Sequence, residues 1–302
     1  MPAPAKGAGT SVLPIDTLPT VLYRIHAFGY DEPMEDYKLI CCDIDGTLLN
    51  AEQRISGRTK TAVAALAQKG ISFALVSGRS PQSLSLLQED LGIALQPLGC
   101  FNGALSLDEH GSLIDERPID FTEAVGALDD LVHTELEFFL YTNRSWYAQE
   151  QSSWYDSEVE LTRIGGTIAP LRELQDHLGG EEKPFKLLAM HRDSAYISEM
   201  TATLQEHFAG RLNIFNSHPN YIELLPPDVD KGRSVRAFEA RYNLDAKEVI
   251  AIGDYYNDIP MFQAVGLAVA MGNAPAEVQR FADRVIAPNS EDGLAQFLET
   301  LL

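Results

Sequence analysis

Short, almost unbroken apolar runs recur along the chain, and each stops abruptly at acids, a glycine or a serine. KLICC ends at Asp43, and ISFALV ends at Ser77-Gly78-Arg79. A strand that is apolar on both faces is a strand covered on both faces, as in a parallel sheet packed between helices. Amphipathic stretches follow these runs. Arg58 to Lys69 turns Val63, Leu66 and Ala67 to one side and stops at Gly70. Ser80 to Asp90 opens with Ser80 at a capping position and Pro81 in the first turn. Further on, Gly232 to Tyr242 reads as a helix, EVIAI and LAVAM as strands, and Pro275 to Phe281 as another helix. This alternation predicts an α/β fold, with a doubly wound, Rossmann-like parallel sheet and helices on both faces.

Residues 115–220 have a different texture. A helix (Glu123 to Val132) precedes the strand-like runs EFFLYT and SWYAQ, which flank Asn143-Arg144 as a hairpin turn. FKLLAMH, a helix (Ala195 to Phe208), LNIFNSH and YIELLP follow, with His218 to Asn220 as a second turn. A helix and then a hairpin, occurring twice, predicts an α+β domain inserted into the α/β domain. We therefore expect a discontinuous core at 36–114 and 221–302, with a cap at 115–220. Residues 1–35 open with MPAPAKGAGT and carry Pro14, Pro19 and Pro33, so they read as a flexible N-terminal extension. The patterned sequence begins at Lys38, and Met34 just before it is an alternative start.

Composition narrows the partners. Lys plus Arg number 23 and Asp plus Glu 44, a formal charge of −21. Such an anion repels nucleic acid and anionic lipid, so neither is expected as a partner. It also repels phosphorylated small molecules, so a phosphate site needs local positive charge, which a divalent cation can supply. The 3 cysteines include the adjacent Cys41 and Cys42, and no CxxC or Cys/His cluster has zinc spacing. That usage argues for a reducing, cytoplasmic compartment. No apolar run reaches the ~20 residues of a membrane helix, and no hydrophobic signal segment stands at the N-terminus.

Ligands of open parallel sheets bind beyond the carboxyl ends of the strands, and the chemistry-bearing residues cluster there. Asp43 and Asp45 follow the first strand. Spaced by two on extended backbone they face one side, and such a pair can hold a hard cation and act as nucleophile and acid/base. Gly46 allows the chain to turn away. Alone, the pair also fits an acidic surface loop. Asp254, Asn257 and Asp258 follow EVIAI at another carboxyl end, although Asp258 also fits a helix-capping turn. An all-oxygen set selects Mg2+ or Mn2+ over zinc. Ser77 and Gly78 offer a hydroxyl and an N–H to a phosphate, and Lys231 enters the same rim. In the insertion, Tyr141, Arg144, Trp146, His191 and His218 could face the site; Tyr141 and Trp146 read rather as packing, Arg144 as an exposed turn that could also bind the leaving group, and no histidines have the HxxxH spacing of metal ligands. Arg79 either closes the mouth of the site or pairs with nearby acids.

Asp43-Ile-Asp45-Gly46-Thr47, Ser77-Gly78-Arg79, Lys231-Gly232 and Gly253-Asp254-x-x-Asn257-Asp258 together resemble, in order, the motifs of the haloacid dehalogenase superfamily. Asn102-Gly103-Ala104, Met271-Gly272-Asn273-Ala274, Ala282-Asp283, Asn289 and Glu291-Asp292-Gly293 narrow the resemblance to Cof-like hydrolases with a type IIB cap. The resemblance covers residues 36–302 and places the cap where the insertion falls.

It implies a Mg2+-dependent phosphatase of small phosphomonoesters, such as a sugar phosphate, working through an aspartyl-phosphate. Asp43 would be the nucleophile and Asp45 the acid/base. Asp43, the Asp45 carbonyl and Asp254 would hold Mg2+, with Asp258 behind them or bound through water. Ser77, Gly78, Asn257 and Lys231 would hold the phosphate, Lys231 also restraining Asp43. Asn102 and Arg79 would lie near the substrate. A mobile cap would hinge near 113–117 and 216–228. A sugar phosphomutase or a non-catalytic metabolite-binding protein are the rival readings.

Overall fold

The computed structural model describes residues 36–93, 95–170 and 181–302, with 172, 173, 175 and 178 between them. The expected N-terminal extension, 1–35, lies outside the described residues. An eight-stranded sheet forms the larger layer. Its strands are β1 (Leu39–Cys42), β2 (Ser72–Val76), β3 (Leu98–Cys100), β4 (Leu105–Leu107), β5 (Leu113–Glu116), β12 (Val249–Gly253), β13 (Leu267–Ala270) and β14 (Arg284–Val285). They lie in the order β14-β13-β12-β1-β2-β3-β4-β5. From β14 to β3 every pair is parallel, while β4 and β5 extend that edge antiparallel. The sheet is therefore parallel where the expectation placed it, and mixed at one edge.

The central strands are apolar because nothing polar reaches them. Ile40 lies between Ile250 and Phe73, Cys42 between Ile252 and Leu75, and all six are buried. Each such aliphatic or aromatic side chain is worth about 1.5–3 kcal/mol on burial. The helices α1 (Gly57–Gln68) and α2 (Pro81–Leu91) start where their caps dictate. Ser56 accepts the Thr59 N–H and Ser80 accepts the Ser83 N–H. Gly92 closes α2 in the left-handed conformation, at φ 70°. Cys41, Cys42 and Cys100 are free thiols in this core, and burial pushes their pKa values up.

A six-stranded sheet forms the second layer. It contains β6 (Glu137–Thr142), β7 (Trp146–Ala148), β8 (Thr167–Ile168), β9 (Pro184–Met190), β10 (Asn213–His218) and β11 (Tyr221–Leu225), in the order β10-β11-β9-β6-β7-β8. On one face α3 (Phe121–Leu131) and α5 (Ser194–His207) cover Phe138, Leu140, Leu187, Ala189, Ile222 and Leu224. The alternate residues Phe139, Tyr141 and Leu188 belong to the other face and share a cluster with Phe101 of the larger layer. The helix α4 (Ser153–Thr162) packs Trp154, Tyr155 and Val159 into that same cluster.

The chain passes between the sheets later than the expected boundaries of 114/115 and 220/221. Strand β5 runs to Glu116 in the larger sheet, and β11, starting at Tyr221, pairs with β9 in the smaller one. The Arg117 N–H donates to Ala104 O, whereas the Ile119 N–H donates to Pro184 O, so the outward crossing falls at Pro118. The return runs through Pro226 and Pro227 to α6 (Lys231–Tyr242). Three short helices, α7 (Ile259–Phe262), α8 (Ala276–Gln279) and α9 (Gly293–Glu299), complete the larger layer. No described helix is long and apolar enough to cross a membrane.

Candidate active site

Asp43 is the first residue beyond β1, and its N–H still donates to Ile252 O, so the sheet itself fixes its position. Its carboxylate is 5% exposed. Lys231, the first residue of α6, sends its Nζ to Asp43 Oδ1 at 2.6 Å and to Asp258 Oδ1 at 2.5 Å. Lys231 as a whole is 1% exposed. Burial alone would pull its pKa down, but the Asp258 and Asp43 carboxylates outweigh burial and hold it above its ordinary value. For Asp43 the balance runs the other way. Burial raises its carboxyl pKa well above the usual range, Lys231 opposes that, and Asp258 and Asp254 add to it.

Asp254 follows β12. Thr47 donates its hydroxyl to Asp254 Oδ1 at 2.8 Å, and Asn273 donates its amide to Oδ2 at 3.2 Å. Burial, only partly offset by the Thr47 hydrogen bond, lifts this carboxyl to about 6. Asp43, Asp254 and Asp258 offer oxygens within 4.8 Å of one another, close enough that they could hold one cation. Asp258 is the most committed of them. Its Oδ1 accepts from Lys231 and its Oδ2 from the Asp254 and Tyr255 N–H groups, both at 2.8 Å. Both its oxygens are thus taken up by the lysine and this backbone turn. The loop after β1 passes so close to Asp254 that it needs Gly46, where φ is 88° and a Cβ would stand 2.2 Å from Asp254 Oδ2.

Asp45 departs from the simple expectation of two acids facing one way. Ile44, between the two acids, is already helical, while Asp43 before it (φ −70°, ψ 167°) and Asp45 after it (φ −81°, ψ 112°) are extended, and the Asp45 side chain is 51% exposed. Arg79 grips both its oxygens, Nη2 to Oδ1 at 2.6 Å and Nε to Oδ2 at 3.0 Å, and donates Nη1 to Leu161 O at the end of α4. Arg79 thus both pairs with an acid and reaches the second layer.

Asp43, Asp45, Ser77, Gly78, Arg79, Asn102, Lys231, Asp254 and Asn257 all line one cavity of about 960 Å³. Ser77 ends β2, held by its N–H to Gly99 O and by its carbonyl, which accepts the Asn102 N–H. Asn102 is buried in the left-handed region, at φ 54°, and accepts the Asn257 amide at 3.2 Å. Asp258 is fully buried behind the cavity wall. A second cavity, of about 670 Å³, shares Arg79, Leu161 and Thr162 but none of Asp43, Lys231 or Asp254.

Lys186, Glu223 and Glu158, none of them expected from the sequence, line the roof of the cavity, and so does Tyr141, one of the residues expected to be able to face it, whose hydroxyl donates to Glu158 at 2.6 Å. Tyr141 is thus both packed and polar at the site. Burial, with Glu158 beside it, raises its phenol pKa. The missed signal was a charge inside an apolar strand: Lys186 in PFKLLAM and Glu223 in YIELL. Trp146 is buried packing, as expected. Arg144 pairs with Glu181 in an exposed turn, His191 meets Tyr196 edge to face, and His218 lines the cavity against Tyr221.

Comparison with known proteins places this geometry. The family model for haloacid dehalogenase-like hydrolases matches residues 40–298. A Haemophilus influenzae protein is 35% identical over 267 residues, covering 87% of this chain and 97% of its own length. The 5-amino-6-(5-phospho-D-ribitylamino)uracil phosphatase YwtE of Bacillus subtilis is 28% identical over 287 residues, covering 88% and 98%. A sugar phosphatase of subclass IIB of the superfamily shares the fold, with a TM-score of 0.74 at 20% identity, covering 88% of this chain and 100% of that one. With the motif carboxylates, the lysine and the covering sheet in one cavity, the chain belongs to the haloacid dehalogenase-like hydrolases.

Proposed function

We propose that the protein is a Mg2+-dependent phosphatase that hydrolyses small phosphomonoesters, sugar phosphates or metabolites of similar size, through an aspartyl-phosphate on Asp43. The observation that carries this reading is the buried group of Asp43, Lys231, Asp254 and Asp258 at the carboxyl edge of the parallel sheet. Three carboxylates against one ammonium leave 3 − 1 = 2 buried negative charges, an excess that a divalent cation offsets. An oxygen-only donor set fits Mg2+ or Mn2+. Asp43, Asp254 and the Asp45 carbonyl would hold the ion, with Asp258 supporting them from behind. When bound, the ion neutralises charge on the phosphoryl oxygens.

The chain's own residues divide the remaining work. An Asp43 oxygen bonds to phosphorus as the bond from phosphorus to the leaving oxygen breaks, and Asp45 gives its proton to that oxygen. A water oxygen then attacks the phosphorus, Asp45 takes the water's proton, and Asp43 and free phosphate are released. Lys231 fixes Asp43 and, with the Ser77 hydroxyl, the Gly78 N–H and the Asn257 amide, steadies the phosphate oxygens. Asn102 and Arg79 face the substrate from the core side, and Arg79 sets where the Asp45 carboxyl waits.

We take the six-stranded sheet and its helices as a cap domain over the eight-stranded core domain, hinged at Pro118 and at Pro226–Pro227. Cap closure excludes water from the phosphoryl transfer. Free buried thiols favour a cytoplasmic setting, and the acidic surface argues against nucleic-acid or membrane partners. The substrate named for the Bacillus relative, a phosphate ester on a ribityl chain, is of the size class proposed. The test is phosphate release from a panel of monoesters with Mg2+, with EDTA, and with Asp43→Asn. Release that requires both Mg2+ and Asp43 is expected. Release that survives either loss refutes the reading.

A further inference from the structure

Lys186 and Glu223 are 7% and 8% exposed, yet each stands in an otherwise apolar strand. Register places both on the face of the cap sheet that looks at the catalytic edge. Lys186 lies opposite Tyr141, and Glu223 lies opposite Leu188, two residues along β9 from Lys186. Neither forms an ion pair within 4.0 Å among the described residues. Lys186 Nζ donates to Gly78 O at 3.1 Å and sits 4.5 Å from the Tyr141 ring centre. Glu223 accepts one long bond, from Asn102 Nδ2 at 3.4 Å. Most of the donors of one group and the acceptors of the other remain open, and both line the cavity that holds Asp43. A buried charge left this incomplete is costly unless a ligand completes it.

We infer that Glu223 and Lys186 are the specificity-determining residues for the leaving group, and that they select a neutral, polyhydroxylated one. This rests on the phosphatase reading above. An alcohol hydroxyl donates to a carboxylate and accepts from an ammonium, so neighbouring hydroxyls satisfy both side chains at once. The roof also discriminates by charge. Glu158 and Glu223 against Lys186 leave an excess of one carboxylate, 2 − 1 = 1, facing the leaving group. A carboxylate or second phosphate there meets repulsion at low dielectric.

The experiment compares kcat/KM of the full chain with Mg2+ for ribitol 5-phosphate, phosphoglycolate and p-nitrophenyl phosphate, in the wild type, Glu223→Gln and Lys186→Met. The wild type is expected to prefer ribitol 5-phosphate to phosphoglycolate. Each variant should lose about tenfold or more on ribitol 5-phosphate, the size of a lost hydrogen bond to a charged group. On the aryl ester, which offers no hydroxyls, it should stay within about threefold, which also shows that the variant is folded. Glu223→Gln should narrow the preference over phosphoglycolate. Equal losses on both esters would make the two residues mere fasteners between cap and core, and would overturn the inference. Aryl ester turnover with no polyol preference in the wild type would overturn it and leave the phosphatase reading standing. No release from any ester overturns both.

Discussion

Lys231 Nζ lies 2.6 Å from Asp43 Oδ1, although the two residues are 188 positions apart in sequence. The sheet brings them together: Asp43 stops β1, Lys231 starts α6, and both are almost fully buried. An ammonium is tolerated there because two carboxylates flank it. Lys231→Met removes the cation and leaves those carboxylates unpaired in the interior. We predict a loss of about 3–5 kcal/mol of stability in the metal-free protein, together with loss of turnover. Urea denaturation in EDTA reads the first and phosphate release the second. Unchanged stability would show that Lys231 does not compensate these acids.

Asp254 links stability to pH. Burial lifts its carboxyl to about 6, against about 3.9 in an unfolded chain. The metal-free folded state therefore binds the proton more tightly than the unfolded state. Its stabilising contribution is complete below about pH 4 and is lost as pH rises through about 6. Asp254→Asn removes the charge, so at pH 8 the metal-free variant should be more stable than the wild type by about 1–3 kcal/mol. It should also lose the stabilisation that Mg2+ gives the wild type. Thermal melts at pH 5 and pH 8, with and without Mg2+, check this. A wild type that Mg2+ does not stabilise at pH 8 would contradict the cation site.

Gly46 is required for two independent reasons, its φ of 88° and the 2.2 Å approach of Asp254 Oδ2 to any Cβ placed there. Gly46→Ala should therefore displace Asp254 and weaken Mg2+ binding by about tenfold or more, the scale of a disturbed supporting contact. Calorimetric Mg2+ titration measures it. Wild-type affinity in that variant would mean that the loop relaxes freely.

Much of this was legible in the sequence, and the reasons are local. β1 and β2 announced themselves as buried parallel strands because almost no polar side chain interrupts them, and α1 and α2 because Gly70 stops the one and Ser80 and Pro81 start the other; the caps Ser56 and Gly92 appear only in the structure. The acids and Lys231 were visible because chemistry gathers at the strand ends. α4 was missed because its apolar stripe, Trp154, Tyr155 and Val159, is short and set among the acids Asp156, Glu158 and Glu160, and only Thr162 is buried within it. The pairing of Asp45 with Arg79, and of Asp258 with the backbone turn at Asp254 and Tyr255, depends on where loops fold, which no periodicity encodes. Lys186 and Glu223 were hidden in strands whose hydrophobic neighbours dominated the pattern.

In the proposed mechanism Asp43 carries the phosphoryl group. Acid-quenching the enzyme during turnover of p-nitrophenyl phosphate with Mg2+, followed by peptide mass spectrometry, tests it most directly. We predict one added phosphoryl group on the peptide containing Asp43, absent in EDTA and absent in Asp43→Asn, which keeps its fold but not its turnover. Undiminished turnover in Asp43→Asn, or a phosphoryl group trapped on another residue, would contradict the claim.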